Sequence, residues 1–341
     1  MKVGMYYNNK DVRAEEVPVP KIGSGEMLME VKASGICGSD LMEWYRIKKA
    51  PLVLGHEVAG DIVEVSENVK KYKKGDRVAV THHVPCNTCR YCLSGHHTTC
   101  DTLRSTNFYP GGFTEYLRIP EINVDRGVFI LPDNMSYEEG TFVEPLGTVL
   151  RGQRLANIQP GNSVLILGCG IAGLLHVKLA RKLGGGIVIA ADINDYRMEA
   201  AKRFGAQYIV HANEDIPNYI RKVNRGNLID RVIICTGVAS TVTQALNSVD
   251  RGGVILFFAV PKPDETVPVD FNKLWKDEVT LMTSYGASQL DLVTAIELIR
   301  AGNVNVKDMI THRLSLDEIA TGFRLASSGT QCLKVIIEPH R

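Results

Sequence analysis

Apolar and polar positions change their period along this chain, and each change marks an element. Val164 to Leu167 (VLIL) is an uninterrupted apolar run of strand length, the pattern of a strand buried on both faces. Glycines stand after it at 168, 170 and 173. Ala172, Leu175, Leu179 and Leu183 recur at helical spacing, which predicts a helix that buries one face. A second apolar run, 187–191, ends on Asp192. Strand-like segments recur at 207–210, 231–235, 254–258 and 279–282, so six strands are expected, with helical patterns in the gaps. One of these spans 195–204 and stops at Gly205, a residue type that closes helices. Strands alternating with helices predict an α/β unit on a doubly wound parallel sheet.

The chain before this unit reads differently. Met27, Met29 and Val31 alternate as in a strand, and small residues then lead to Cys37, Ser39 and Asp40. Residues 53–60, VLGHEVAG, set His56 and Glu57 between glycines and strand-like apolar positions, a poor place for charged groups unless something binds them. Residues 311–333 return to mixed structure.

Gly168, Gly170 and Gly173 fall in G-x-G-x-x-G register between a strand and a helix. One glycine makes the tight turn, one lets the main chain approach a pyrophosphate, and one lets the helix pack on its strand. The helix N-terminus then aims its free N–H groups at the phosphates. Asp192 follows 19 residues after Gly173, where a carboxylate accepts both hydroxyls of an adenosine ribose and repels a 2′-phosphate. The pattern therefore predicts NAD in preference to NADP. Arg197 lies close enough in sequence to soften that preference, or it is a solvated helix arginine.

At 341 residues the chain exceeds what one core usually supports, so two domains are expected. A formal net charge of +1, with both signs interspersed, supplies no field for nucleic acid or an anionic membrane. The cluster Lys70, Lys71, Lys73 and Lys74 reads as a solvated loop. The opening MKVGMYYNNK lacks the apolar core of a signal peptide, and no apolar run approaches the roughly 20 residues of a membrane helix. A cytoplasmic protein is expected.

Eight cysteines in such a chain point to metal before disulfides. Cys86, Cys89, Cys92 and Cys100 lie within fifteen residues, with Asn, Gly and Thr between them and no room for a hydrophobic element. A tetrahedral Cys₄ zinc satisfies that spacing and folds the loop by itself. His96 and His97 are then spare. Two disulfides suit a secreted chain, and a nucleic-acid ribbon would need more Lys and Arg than this segment carries. Thiolate, imidazole and carboxylate are the ligands of a catalytic zinc; Cys37 and His56 supply two, and the third is an acid or cysteine further on.

Together these pieces resemble the zinc-dependent medium-chain dehydrogenases, in their sorbitol or polyol dehydrogenase-like and threonine dehydrogenase-like branch. The marks are GICGSD at 35–40, GHEVAG at 55–60, GDRV at 75–78, the four-cysteine lobe, EPLG at 144–147 and GCGIAG at 168–173. The resemblance implies a GroES-like β-rich catalytic domain over 1–145 with a structural zinc lobe at 85–101. It further implies a Rossmann domain with a six-stranded parallel sheet over 146–290, and a segment, 291–341, that returns to the catalytic domain. It also implies two zinc ions per chain and NAD. Cys37, His56 and Glu144 would hold the catalytic zinc, with Glu57 as an alternative ligand; Glu144, followed by Pro145, can also be read as a helix N-terminal acid. Ser39 is placed to hydrogen-bond the substrate oxygen and pass its proton on. Gly168, Gly170, Ile171, Ala172, Gly173, Asp192 and Arg197 fall on the dinucleotide, and Thr148, Cys235, Thr236 and the turn near Val260 on its nicotinamide half. Tyr285 matches a position near the substrate, and Cys169 and Cys332 read as buried structural residues.

One departure stands out. Many relatives carry a histidine three residues after the serine to relay the proton, and this chain has Met42 there. The proton is expected to leave through water and Glu144 or Glu57 instead. The activity implied is NAD-dependent oxidation of a secondary alcohol in a polyol, sugar or related hydroxy compound to a ketone, by a homodimer or homotetramer. L-Threonine oxidised at its 3-hydroxyl is the alternative within the class. A catalytically inactive dinucleotide-binding redox sensor is the alternative outside it. Trp44 and Tyr45 either wall the substrate pocket or cap a hydrophobic face.

Overall fold

In the computed structural model, which describes residues 1–341, the chain forms two units, Met1–Gly147 with Ala287–Arg341, and Thr148–Gly286. The divisions fall at 147/148 and 286/287 rather than at 145/146 and 290/291. A continuous helix, Val143–Leu155, runs across the first of them, and the helix Gln289–Arg300, with its Ser288–Asp291 capping box, belongs wholly to the first unit.

The first unit begins with β1 (Lys2–Asn8) and β2 (Asp11–Glu16), followed by β3 (Met27–Gly35), β4 (Leu52–Val53), β5 (Glu57–Val65), β6 (Arg77–Val80), β7 (Tyr116–Ile119) and β8 (Val128–Ile130). β3 buries Met27, Met29, Val31 and Ala33 as the alternation predicts, with the half-buried Glu30 and Lys32 between them paired to each other; Leu28, also buried, is the exception. It is a central strand, paired with β5, β7 and the C-terminal strand Lys334–Ile337.

The second unit contains β9 (Val164–Leu167), β10 (Val188–Asp192), β11 (Tyr208–His211), β12 (Ile229–Ile234), β13 (Val249–Phe257) and β14 (Thr280–Thr283). All six pair in parallel, in the order β11-β10-β9-β12-β13-β14. β12 and β13 start earlier than their apolar runs, because Ile229 and Val249 already pair across a register shift. Each fully buried aliphatic side chain of the β9 run contributes about 1.5–3 kcal/mol relative to exposure. That burial makes this strand the firm base of the glycine turn that follows it. The chain then returns to the first unit with β15 (Ile310–Leu314), the helix Ile319–Ser328 and β16 (Lys334–Ile337), completing a sheet ordered β15-β16-β3-β5-β6-β8 with β7 also on β3.

Each unit has its own core. One cluster joins Met27, Met29, Val31, Ile62, Val78 and Leu117; a second joins Val3, Tyr6, Phe113, Ile319 and Phe323. The parallel sheet has a third, around Leu165, Ile189, Ile220 and Val232. No helix is long and apolar enough to cross a membrane.

Candidate functional site

The cysteine lobe has almost no apolar interior of its own: its buried cluster is Cys92, Cys100 and Leu103. Its thiols converge instead, with Sγ separations of 3.9 Å for Cys86–Cys92 and 3.6 Å for both Cys89–Cys92 and Cys86–Cys100. A tetrahedral zinc with bonds of about 2.3 Å needs ligand edges of about 3.8 Å, so the four sulfurs fit that ion as they stand. N–H donors from Thr88 and Cys89 hold the Cys86 thiol down to about 5, while burial pushes Cys92 up to about 12.

The second ligand group is assembled by β3 and β5. The chain leaves β3 at Gly35 and turns at once, with Cys37 capping the short turn Gly38–Leu41. Cys37 Sγ accepts from Ser39 N at 3.5 Å, and Cys37 N donates to Asp40 Oδ2 at 3.0 Å. This turn points the thiol, the Ser39 hydroxyl and the Asp40 carboxylate the same way. His56 precedes β5 and Glu57 opens it, opposite Gly35 in the ladder. The donor atoms of Cys37, His56 and Glu57 all lie within 4.8 Å of one another. Ser39 Oγ sits 3.4 Å from Cys37 Sγ and 3.4 Å from His56 Nε2. Asp40 Oδ1 faces the other ring nitrogen, Nδ1, at 3.4 Å, which leaves Nε2 for a ligand. Burial opposes charge on His56, yet Asp40 and Cys37 together raise its pKa well above the usual value. Burial likewise works against the Asp40 carboxylate, but His56 and Arg46 hold its pKa below the ordinary one.

Glu57 is fully buried and ion-paired with Lys334 of β16, which also donates to the Ile36 carbonyl at 3.0 Å. Gly35 makes room for this pair, since a Cβ there would collide with Glu57 Oε2 and the end of Lys334. Glu57 Oε1 and Asp40 Oδ1 are enclosed without a hydrogen bond. A cation among Cys37, His56 and Glu57 would give the open Glu57 Oε1 a partner beside a thiol and an imidazole, so the residues present suit a zinc ion. Glu144 stands in the first turn of the Val143–Leu155 helix, outside the group within 4.8 Å. Burial, aided by the charges of Glu57 and Asp40, raises its pKa to about 7.

Four residues at this site were missed in the sequence. Lys334, in the run KVII, carried a signal in principle, because a lysine inside an apolar strand needs a partner. Arg46 gave none; its Nε donates to Ser39 O at 3.0 Å and its Nη2 to Ser39 Oγ at 3.3 Å. His82 and His83 stack with ring centroids 3.7 Å apart, and His82 lies 4.9 Å from His56. Burial holds His82 well below its ordinary pKa and His83 at about 4. Met42 is half-buried at the end of the Cys37 turn.

In the second unit, Gly168 follows β9 with φ +96°, a left-handed conformation that suits glycine. Gly170 caps the helix Ile171–Lys182, and a Cβ on Gly173 would collide with the Gly168 carbonyl. Ile171 and Ala172 form the first turn of this helix. Asp192 Oδ2 accepts from Cys169 N at 2.6 Å and Oδ1 from Asn194 N at 2.9 Å. A carboxylate has about four acceptor positions, so these two bonds anchor the group without exhausting it. Arg197 is half-buried rather than solvated, and its Nε is enclosed without a partner. Cys235 and Thr236 follow β12 and pack directly on Gly168. This is where the strand order reverses, between β9 and β12, the usual crevice for a dinucleotide. Val260 is 48% exposed after β13, Tyr285 54% exposed after β14, and Thr148 half-buried on its helix. Cys169 and Cys332 are buried.

Comparison with known proteins agrees with both halves. Residues 23–132 match the family model "Alcohol dehydrogenase GroES-like domain" and residues 172–301 match "Zinc-binding dehydrogenase". The chain is 32% identical to a sorbitol dehydrogenase of Bacillus subtilis, across 100% of this chain and 98% of that one. It is 30% identical to an L-threonine 3-dehydrogenase of Pseudoalteromonas translucida, across 94% of each. A putative zinc-binding dehydrogenase from Sinorhizobium meliloti, solved with NADP, superimposes with a TM-score of 0.87 at 27% identity, across 99% of both chains. With a GroES-like unit, a Rossmann sheet and two convergent ligand groups of this kind, the chain belongs to the zinc-dependent medium-chain dehydrogenase family.

Proposed function

We propose that this protein oxidises a secondary alcohol, in a polyol, sugar or related hydroxy compound, to a ketone with NAD as hydride acceptor. The reading includes one catalytic and one structural zinc per chain, the latter in the Cys86, Cys89, Cys92 and Cys100 lobe. The observation that carries it is the position of Ser39 Oγ, 3.4 Å from both Cys37 Sγ and His56 Nε2. A hydroxyl there adjoins the place where the oxygen of an alcohol would be activated.

Cys37 and His56, with Glu57 or Glu144, would hold the catalytic zinc, which supplies Lewis-acid polarisation of the substrate oxygen, while the nicotinamide supplies the hydride acceptor. Asp40 fixes the tautomer of His56 by facing Nδ1. Arg46 carries only donors, so its bond to Ser39 Oγ occupies one lone pair and leaves the other to accept from the substrate hydroxyl. As the alcohol is oxidised, Ser39 would take up the substrate proton on that lone pair while giving up its own hydroxyl proton to water, so no charge builds on the serine. With Met42 in place of a relay histidine, the proton continues through water and the nearby acid Glu144, because Glu57 Oε2 is engaged by Lys334. Asp192 would accept the adenosine ribose hydroxyls, and Arg197, in the helix that follows it, would soften the preference for NAD. We also propose a cytoplasmic homo-oligomer, in keeping with the unpaired edge of β14 and the exposed Phe271 and Trp275 of the preceding helix.

The test is a panel of sugar alcohols, simple secondary alcohols and L-threonine followed by NADH absorbance, with zinc content measured alongside. Two zinc per chain and turnover of one compound class are expected. Ser39→Ala should lower kcat roughly 100-fold or more while zinc content stays at two, the loss typical of a positioned proton acceptor. Full zinc content with no turnover of any alcohol would overturn the reading in favour of a redox sensor.

A further inference from the structure

We propose that the substrate of the Cys37–His56 site carries an anionic group, a carboxylate or a phosphate ester, close to its carbinol carbon, and that Arg46 binds that group with Lys49 at its flank. The inference rests on reading this site as that of an alcohol dehydrogenase and narrows its substrate class.

Arg46 closes the short turn Glu43–Arg46, and its side chain is only 17% exposed. Nε and Nη2 are committed to Ser39 O and Ser39 Oγ. The nearest carboxylate oxygen, Asp40 Oδ1, is 3.9 Å away, beyond hydrogen-bond reach, and Asp40 is already engaged by the Cys37 N–H and faces His56. Nη1 has no hydrogen-bond partner, and it is not among the polar atoms sealed from solvent. Nη1 therefore keeps its donors open to a ligand, and the planar fork of a guanidinium matches a carboxylate or phosphate. Nη1 and the Ser39-bound Nη2 belong to one fork. An anion on Nη1 would therefore lie on the same side as the oxygen that Ser39 serves, which puts the charge near the carbinol carbon.

The surroundings are cationic. Arg46 Cζ lies 4.8 Å and Lys49 Nζ 5.7 Å from the centroid of the same Tyr45 ring, which gathers both charges on one aromatic. Lys48 adjoins them in the exposed turn Ile47–Lys49. The acid of this segment, Glu43, accepts from Asn9 N at 3.0 Å. His82 Nδ1 is enclosed without a partner. A neutral polyol would leave Arg46 Nη1 to water alone; a hydroxy acid or a sugar-alcohol phosphate would fill it with a charge-assisted bond.

The experiment uses the zinc-loaded enzyme with NAD and matched substrates: sorbitol and 2,3-butanediol as neutral compounds, 3-hydroxybutyrate and L-threonine as carboxylates, and sorbitol 6-phosphate as a phosphate ester. The anionic class is expected to exceed the neutral one in kcat/KM by roughly 10- to 100-fold, the worth of one charge-assisted hydrogen bond. Arg46→Gln should erase most of that ratio, chiefly through KM. Lys49→Gln, which does not touch Ser39, should reduce the ratio a few-fold and more strongly at low ionic strength. Inorganic phosphate and acetate, tested separately by calorimetry and as inhibitors, tell the two sources apart: the anion matching the natural group binds, and Arg46→Gln loses that binding. Equal turnover of neutral and anionic substrates, with Arg46→Gln lowering both alike, would overturn the proposal and leave Arg46 as a support for Ser39. Failure of every alcohol to reduce NAD would instead overturn the underlying reading, whatever the binding of phosphate or acetate.

Discussion

Replacing Lys334 with methionine isolates what the buried pair at the base of the metal site does. Methionine keeps most of the stem's volume but removes the charge, so the packing change is small and the electrostatic one large. Both partners have 0% side-chain exposure, and Lys334 Nζ is also the donor to the Ile36 carbonyl at 3.0 Å. Removing one member leaves Glu57 enclosed without a counter-charge, at a cost of about 3–5 kcal/mol. Glu57→Gln with Lys334→Met removes both charges and should cost only about 0–2 kcal/mol, so the cycle should show a coupling of roughly 2 kcal/mol or more. A zinc ion beside Glu57 Oε1 would partly replace the lost cation. The single variant should therefore lose more in metal-stripped protein than in zinc-loaded protein. Urea unfolding followed by circular dichroism, on both forms of all four proteins, reads these differences. A cost below about 1 kcal/mol in the stripped single variant, or a double variant as unstable as the sum of its singles, would refute the argument.

How much of this was visible in the sequence depends on how local the causes are. The central strands β9 and β10 were legible because a strand buried on both faces leaves an uninterrupted apolar run, while the edge strands β11 and β14, only partly buried, showed only as strand-like segments. The starts of β12 and β13 were less legible: Ile229 and Val249 pair through a register shift, and a shift is decided by the neighbouring strand, not by the run itself. The convergence of Cys37 with His56 and of the four lobe cysteines was legible because side chains able to hold a metal are few in type and recur at fixed spacings. The residues that support them were not. Lys334 lies 277 residues from Glu57 in sequence, and only the pairing of β16 with β3 brings them together. Arg46 reaches Ser39 because a short turn folds back on the preceding one, a geometry with no periodic trace. His82 and His83 read as an ordinary polar pair until β6 and the Asn123 side chain, which donates to the carbonyls of Thr81 and His82, fix them near His56.

Two further predictions follow from the same reasoning. Cys92→Ser removes a thiolate from a lobe whose own buried cluster has only Cys92, Cys100 and Leu103, so the variant should bind one zinc fewer and expose 85–101 to protease; a variant with full zinc and unchanged cleavage would contradict the structural-zinc reading. His176, inside the helix Ile171–Lys182 of the second unit, is fully buried, and burial lowers its pKa from 6.5 to about 3. Below pH 6.5 the unfolded chain takes up a proton that the folded one refuses, so stability falls as pH drops through the window from 6.5 toward 3. At pH 5 that difference amounts to about 2 kcal/mol, from roughly 1.5 pH units at 1.36 kcal/mol each. His176→Gln keeps a polar partner for Gln153, whose Nε2 lies 3.2 Å from His176 Nδ1, but has nothing to titrate. The variant should therefore lose roughly 2 kcal/mol less than the parent between pH 7 and pH 5, read as the change in urea midpoint. His83, held at about 4, and His82 add to the acid sensitivity of both proteins equally, so the difference between parent and variant reports His176 alone. Parallel pH profiles would mean that the folded protein admits a proton at His176, and that the enclosed site around it opens at low cost.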